Sequence, residues 1–305
     1  MTGFSLAHSA PGCLAPSGRG NRVRPAFWPV AAGLLLAVAL GAPLGHPMAV
    51  TLATVLFMVG GLPHGAYDIA LLRKAIAPGR RALVLVVGGY VAVALAMAAL
   101  WLTLPLVALI VFLLIAAVHF GEDWRMLDEP LLRIAAGAAV IAVPAASHPA
   151  EVTALFVAMS DPRSALLVQI IGAVAPVTLL VTGVGLVEAW RGGSQAWATA
   201  MGLCLIVLFV APPVIGFAVF FVFLHAPLHL DRARTVLSDM PQSRWLATGA
   251  LLSGAALIGW LALRLLAPVR IDETLTSQAF QLLAAVAVPH LVLSHWLEQR
   301  QDPDV

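Results

Sequence analysis

The segment VLFMVGGLPHGAYDIALL, residues 55–72, has the length and composition of a membrane-spanning helix, yet its middle carries His64 and Asp68. A helix that crosses a bilayer needs about 20 mostly apolar residues. Ionisable side chains within such a helix are costly and mark functional positions. The segment therefore predicts a transmembrane helix that contributes to a site inside the membrane.

The composition of the whole chain extends this prediction. The 305 residues are 61% hydrophobic and 10% charged, whereas soluble domains carry about 25% charged residues. Such a chain is predicted to be an all-α, polytopic membrane bundle. The net charge of +2 is too small to indicate nucleic-acid binding. Cys13 and Cys204 lie far apart and form no metal or redox motif.

Apolar runs predict about ten transmembrane helices. The predicted spans cover residues 26–45, 49–72, 82–104, 105–121, 130–148, 164–189, 196–212, 213–230, 245–267 and 275–297. Cytoplasmic loops of membrane proteins are enriched in Lys and Arg. With both termini in the cytoplasm, all Lys and Arg residues except Arg163, Arg264 and Arg270 fall in cytoplasmic segments. The charge pattern thus supports this number of spans and this orientation.

The spans define one catalytic domain in the membrane. Residues 26–297 are predicted to form a single transmembrane domain, between a disordered basic tail over residues 1–25 and a short C-terminal tail over residues 298–305. The protein is predicted to be a multi-pass protein of the cell inner (cytoplasmic) membrane.

Histidines cluster in four of these spans. His64, His119, His225, His229 and His290 lie on spans that run in the same direction, at a similar depth toward the cytoplasmic side. Residues four apart project from one face of a helix, so the spacing of His225 and His229 suits two ligands of one metal ion. Pro227 lies between them and is expected to kink the helix.

Two carboxylates accompany these histidines. Asp68 follows His64, and Asp123 follows His119, each by four residues. A carboxylate one turn away can accept the outer N–H of a ligating imidazole, on its own helix or on a neighbouring one. Asp68 and Asp123 are therefore predicted to orient ligands. His290 is a candidate for the same supporting role, or for a ligand that displaces another.

Four neutral imidazoles suit iron, copper, zinc or nickel. With few carboxylates at that depth, a mononuclear site with open positions is predicted. A relay that transports metal ions or protons is an alternative, although the outer halves of these spans are almost entirely apolar. A retinal-binding photoreceptor needs a lysine within a span for its Schiff base, and the chain's only lysine is Lys74, at a span end.

Four motifs in this order resemble those of the Brp/Blh-type β-carotene 15,15′-dioxygenases. They are GLPHGAYD at 61–68, HFGEDW at 119–124, LHAPLH at 224–229 and PHLVL at 289–293. The resemblance implies that the chain cleaves β-carotene at its central double bond with O2, giving two molecules of all-trans-retinal. It also implies Fe(II) as the cofactor, with His64, His119, His225 and His229 as its ligands and the catalytic residues.

The resemblance implies partners as well. These are β-carotene and O2 as substrates, the lipid bilayer as surroundings, and a retinal-binding protein as a functional partner. A different histidine-ligated membrane metalloenzyme, acting on another isoprenoid or lipid, is the main alternative.

Overall fold

A computed structural model of the protein describes residues 23–76, 79–266 and 274–301, and the side chains of residues 75, 76, 80, 82, 263, 264, 266 and 293–301 are outside this description. Within these ranges the chain is helical and has no strand. The predicted N-terminal tail lies almost entirely outside the described residues. The helical architecture confirms the predicted fold class.

Thirteen α-helices make up the described part of the chain. They are α1 (Phe27–Ala39), α2 (Pro47–Gly65), α3 (Asp68–Ile76), α4 (Arg80–Thr103), α5 (Pro105–Gly121), α6 (Pro130–Ser147), α7 (Pro149–Met159), α8 (Ser164–Arg191), α9 (Gln195–Val210), α10 (Pro213–Phe220), α11 (Ala226–Val236), α12 (Gln242–Leu266) and α13 (Leu275–Gln301). A 3₁₀ turn, Glu122–Trp124, follows α5, and a π-helical turn, Phe221–His225, joins α10 to α11.

Eight helical stretches of the described residues are long and apolar enough to cross a membrane. Two of these stretches each contain two α-helices. The stretch Pro47–Lys74 joins α2 to α3, and the stretch Pro213–Val236 joins α10 through the π turn to α11. The predicted spans 26–45 and 196–212 correspond to the shorter apolar helices α1 and α9, of 13 and 16 residues. The 11-residue α7 was not among the predicted spans.

Prolines determine where several helices begin. Proline is the first residue of five helices, α2, α5, α6, α7 and α10, where its missing N–H costs no hydrogen bond. The junction at Leu104 and Pro105 separates α4 from α5, and Pro212 and Pro213 separate α9 from α10. Both junctions agree with the breaks that the sequence predicts.

The helices divide into central and peripheral ones. In the most apolar part of α13, 67% of the residues are buried, whereas the corresponding shares for α4 and α12 are 11% and 6%. α13 packs against α2 and α4, and α6 packs along both α5 and α8. The bundle therefore has α13, the α10–α11 stretch and α6 near its centre, with α4 and α12 facing outward.

Glycine allows α5 and α6 to touch backbone to backbone. A Cβ atom on Gly137 would lie 2.0 Å from the carbonyl oxygen of Ala117 and 2.4 Å from the backbone nitrogen of Gly121. A Cβ atom on Gly121 would in turn lie 2.7 Å from the carbonyl oxygen of Arg133. Small residues let helices approach closely in membranes, and here they set the position of the His119 end of α5.

We predict that Gly137→Ala destabilises the bundle by about 1–3 kcal/mol, because the added methyl group has no room against the α5 backbone. Thermal unfolding in detergent should show a lower midpoint than the wild type. Gly183→Ala is the matched control, since a Cβ atom on Gly183 in α8 meets nothing within 4 Å. Equal midpoints for the two variants would contradict the inferred α5–α6 contact.

Candidate metal centre

Five buried histidines meet inside the bundle. His64 lies in the last turn of α2, His119 in the last turn of α5, His225 at the end of the π turn, His229 in α11 and His290 in α13. None is more than 8% exposed. Their ring centroids lie 4.5 Å apart for His225 and His229, 4.8 Å for His119 and His225, and 5.0 Å for His64 and His290. The structure thus assembles every histidine that the sequence singles out for the site.

The π-helical turn accommodates Pro227 next to two of these histidines. Pro227 has no N–H to give to the preceding turn, and the backbone widens just before it, with the N–H of Ala226 bonding to the carbonyl of Phe221. Such π turns occur frequently at functional sites. The rings of His225 and His229 still face the same side, so the predicted pairing of these two residues holds despite the proline.

Carboxylates hold two of the imidazoles through Nδ1. The Nδ1 atom of His119 lies 2.8 Å from Glu122 Oε2, and that of His225 lies 2.8 Å from Asp123 Oδ2. Because an ionised carboxylate only accepts hydrogen bonds, each Nδ1 carries the hydrogen and each Nε2 keeps a free lone pair. Asp123 also lies close to His229, with its Oδ1 atom 3.2 Å from Nε2 of that ring.

A third carboxylate holds His290. Both oxygen atoms of Asp68 lie 2.8 Å from Nδ1 of His290, and the hydroxyl of Tyr90 donates to Asp68 Oδ2 at 2.9 Å. Asp68 is the first residue of α3, where the helix dipole stabilises a negative charge. This arrangement fixes the tautomer of His290 in the same way as for His119 and His225.

The Nε2 atoms of His119, His225 and His290 are buried and have no hydrogen-bond partner among the described residues. His64 has the matching tautomer, because its Nδ1 atom contacts the carbonyl oxygen of Gly61, which can only accept. A buried nitrogen lone pair without a partner is costly unless something binds it. Four imidazoles therefore present free lone pairs toward one region.

The donor atoms form two overlapping groups. Ligand atoms of His64, His119 and His290 all lie within 4.8 Å of one another, and so do those of His119, His225 and His229. His119 belongs to both groups. Neutral imidazole nitrogens in this arrangement fit a divalent transition metal ion.

Comparison with known proteins identifies the family. The family model described as Beta-carotene 15,15'-dioxygenase matches residues 55–298. The chain belongs to this family. A Beta-carotene 15,15'-dioxygenase of an uncultured marine bacterium, 66A03, is 28% identical over 262 residues, which cover 79% of this chain and 90% of that relative. No solved structure matches the chain.

In this member of the β-carotene 15,15′-dioxygenase family, the predicted supporting carboxylates act between helices. Asp68 contacts His290 rather than His64, and Asp123 contacts His225 and His229 rather than His119. The partner of His119 is Glu122, which sequence reasoning missed. In the sequence, the only indication of this contact is the i, i+3 spacing of His119 and Glu122 within HFGEDW, which places both on the same side of the helix.

Phenylalanines surround the cluster. The ring of Phe221 stacks on His225 with centroids 5.2 Å apart and meets His64 edge to face at 5.3 Å. It fits only because residue 61 is glycine, since a Cβ atom there would lie 2.1 Å from Phe221 Cε1. Phe120 packs against His225 with centroids 5.1 Å apart. These rings place apolar surface directly beside the imidazoles.

The other described histidine side chains lie away from this centre. His46 caps α2 by accepting the N–H of Met48, and Nε2 of His148 lies 3.1 Å from the carbonyl oxygen of Phe209. Both therefore have local structural partners outside the cluster.

We predict that Asp123→Asn and Asp68→Asn lower the affinity for the metal ion about 10–100-fold, the usual effect of losing a carboxylate that orients ligating histidines. An amide cannot hold two imidazole N–H groups as Asp123 does. Chelator competition with the purified protein measures this affinity. Asp239→Asn is the control, because Asp239 is exposed and pairs with Lys74. Unchanged affinity in both test variants would contradict the assigned role.

Proposed function

We propose that the protein cleaves β-carotene at the central 15,15′ double bond with O2 and yields two molecules of all-trans-retinal, at a non-haem Fe(II) held by histidines. The observation that carries this proposal is the cluster of buried imidazoles with fixed tautomers and free Nε2 lone pairs. It lies in a bundle of lipid-compatible helices within a chain of the β-carotene 15,15′-dioxygenase family. Each oxygen atom of O2 ends in one aldehyde, so no other oxidant is required.

The chemistry argues against zinc among the metals that imidazole binds, and the family resemblance implies iron among the redox-active ones. Zinc has no redox chemistry, whereas oxidative cleavage of a double bond requires an ion that can activate O2. Iron bound by the imidazoles would supply this reactivity, and the protein supplies binding, orientation and exclusion of water. The substrate is a hydrocarbon, so no general acid or base is needed to activate it.

The proposed ligands are the four predicted histidines, His64, His119, His225 and His229, together with His290. His290 joins the set because its Nε2 is buried without a partner among the described residues, and because one of its ring nitrogens lies within 4.8 Å of donor atoms of His64 and His119. The two donor groups share His119, so a single ion beside that ring can draw on both. All five would bind the ion as neutral imidazoles.

Exclusion of water follows from the surrounding residues. The space next to Phe120 along α5 is lined entirely by apolar side chains, among them Leu109, Phe112 and Phe217. An apolar site from which water is expelled protects reactive intermediates. The same feature argues against a histidine relay for ions, because the described residues lining this space offer no polar group to continue a path.

The surroundings and partners follow from the same proposal. The multi-pass bundle is proposed to reside in the cell inner membrane, where β-carotene dissolves in the hydrocarbon phase. Retinal is the product, so a retinal-binding protein is the proposed functional partner.

We predict that His290→Ala weakens Fe(II) binding at least as much as Asp68→Asn, that is, at least about tenfold. Removing the ring removes the donor itself, whereas the aspartate change alters only its orientation. Anaerobic chelator competition measures the affinity, and His148→Ala serves as the control. An affinity equal to that of the wild type would show that the four predicted histidines are sufficient.

Expression in a β-carotene-producing bacterium tests the proposed reaction. We expect the cells to lose their orange colour and to accumulate retinal, measured by chromatography of extracted pigments. His119→Ala should leave the colour unchanged, because His119 belongs to both donor groups. Unchanged carotenoid in cells that express the wild-type protein well, with sufficient iron, would refute the proposed function.

A further inference from the structure

A second space in the bundle reaches the histidine cluster directly. It lies between α2, α4, α12 and α13 and has a cavity volume of ≈ 260 Å³. His64 and His290 form part of its wall. Sites for whole small molecules usually measure about 300–1,000 Å³, so this chamber has room for part of a long ligand whose remainder extends through the open side.

The walls of the chamber are mostly hydrocarbon. Leu62 and Ile69 contribute from the α2–α3 stretch, Ala94 from α4, Ala256 from α12 and Leu283 from α13. The polar residues in its lining are His64, Asp68, Tyr90, Ser253 and His290. The Tyr90 hydroxyl bonds to Asp68, which in turn bonds to His290, so these three residues are already paired at the end near the histidine cluster. The Ser253 hydroxyl has no partner among the described residues.

The open side of the chamber faces the lipid-exposed periphery. Its outer walls are α4 and α12, the two least buried of the long helices. Both helices carry exposed apolar side chains, including Val91 and Leu95 on α4 and Leu257 and Ile258 on α12. α4 packs on α5 and α13, and α12 packs on α2 and α13, while the chamber lies between α4 and α12. A molecule dissolved in the bilayer therefore meets this opening without crossing water.

We propose that this chamber admits the carotenoid laterally from the bilayer, between α4 and α12, and holds one half of its polyene against the metal centre. The inference rests on the proposed function, because it takes the substrate class from it. An apolar polyene matches the hydrocarbon walls and the lipid-facing opening. The space beside α5 is less suited to this role, because no histidine lines it and Phe120, Phe217 and Phe280 form part of its wall.

The residues that set the width of the chamber are small. Ala94 and Ala256 lie on the two peripheral helices, and each presents only a methyl group to the space. A tryptophan at either position fills the passage without removing any metal ligand or carboxylate. These two alanines therefore act as specificity determinants in the proposed arrangement.

Tryptophan substitutions test the proposal with two separate measurements. Ala94→Trp and Ala256→Trp are compared with the matched controls Ala92→Trp and Ala255→Trp, whose alanines are exposed on the same helices and do not line the chamber. The first measurement is the amount of β-carotene that the Fe(II) form retains per protein in detergent without O2, a reactant that cleavage requires. The second is the initial rate of retinal formation once O2 is admitted, and Fe(II) content is checked in all variants.

We expect both chamber variants to lose at least about tenfold in retained β-carotene and in rate, since filling a pocket costs at least as much as a misfit of one methylene group. The controls should remain within about twofold of the wild type, as for other surface changes. Chamber variants that bind and react like their controls would overturn the proposal.

The two measurements also separate this inference from the proposed function. If the wild type retains β-carotene but forms no retinal, the proposed reaction is wrong, and loss of retention in the chamber variants still supports the chamber. If the wild type retains no β-carotene and forms no retinal, both are overturned. Formation of retinal by chamber variants at the wild-type rate would refute the lateral route while leaving the reaction intact.

Discussion

The hydrogen bonds from imidazole N–H groups to buried carboxylates are the interactions on which the centre depends. Asp68 and Asp123 are 3% and 0% exposed, and an isolated charge inside a membrane bundle is costly. Each is stabilised by donors from another helical segment, so the carboxylates connect the segments that carry the histidines. The same bonds select one tautomer and direct Nε2 of His225 and His290 toward the interior. The same carboxylate oxygens thus connect the helical segments and orient the imidazoles.

Close backbone approach makes these connections possible. Gly121 and Gly137 bring α5 against α6 just before the chain turns through the 3₁₀ segment that carries Glu122 and Asp123. Gly61 similarly makes room for Phe221, whose ring packs on His64 and His225. Larger residues at these glycines would push apart elements that meet over distances of about 3 Å. The glycines therefore contribute to the site although none of them contacts the metal position.

Much of this arrangement could be predicted from the sequence, because membrane helices follow simple rules of length and hydropathy. Histidines near the same end of spans that run in one direction must share a level, which identifies His64, His119, His225, His229 and His290 as neighbours. The rotation of each helix about its axis is not encoded so simply. For that reason the pairing of Asp68 with a histidine on another helix, and the role of Glu122, emerged only from the structure. The short α7 was missed because 11 residues are too few for a span.

The placement of charge suits carboxylates that hold the imidazoles in the proposed metal centre. Neutral ligands would leave a divalent ion with its full positive charge, and Asp68, Glu122 and Asp123 would balance that charge from one imidazole away. Cations limit the negative charge at the 3₁₀ turn: burial and the nearby charge of Arg232 lower the pKa of Arg125 to about 10, so its guanidinium remains protonated at neutral pH. The proposed centre would use no carboxylate as a ligand, and it leaves the adjoining walls apolar enough to hold a hydrocarbon.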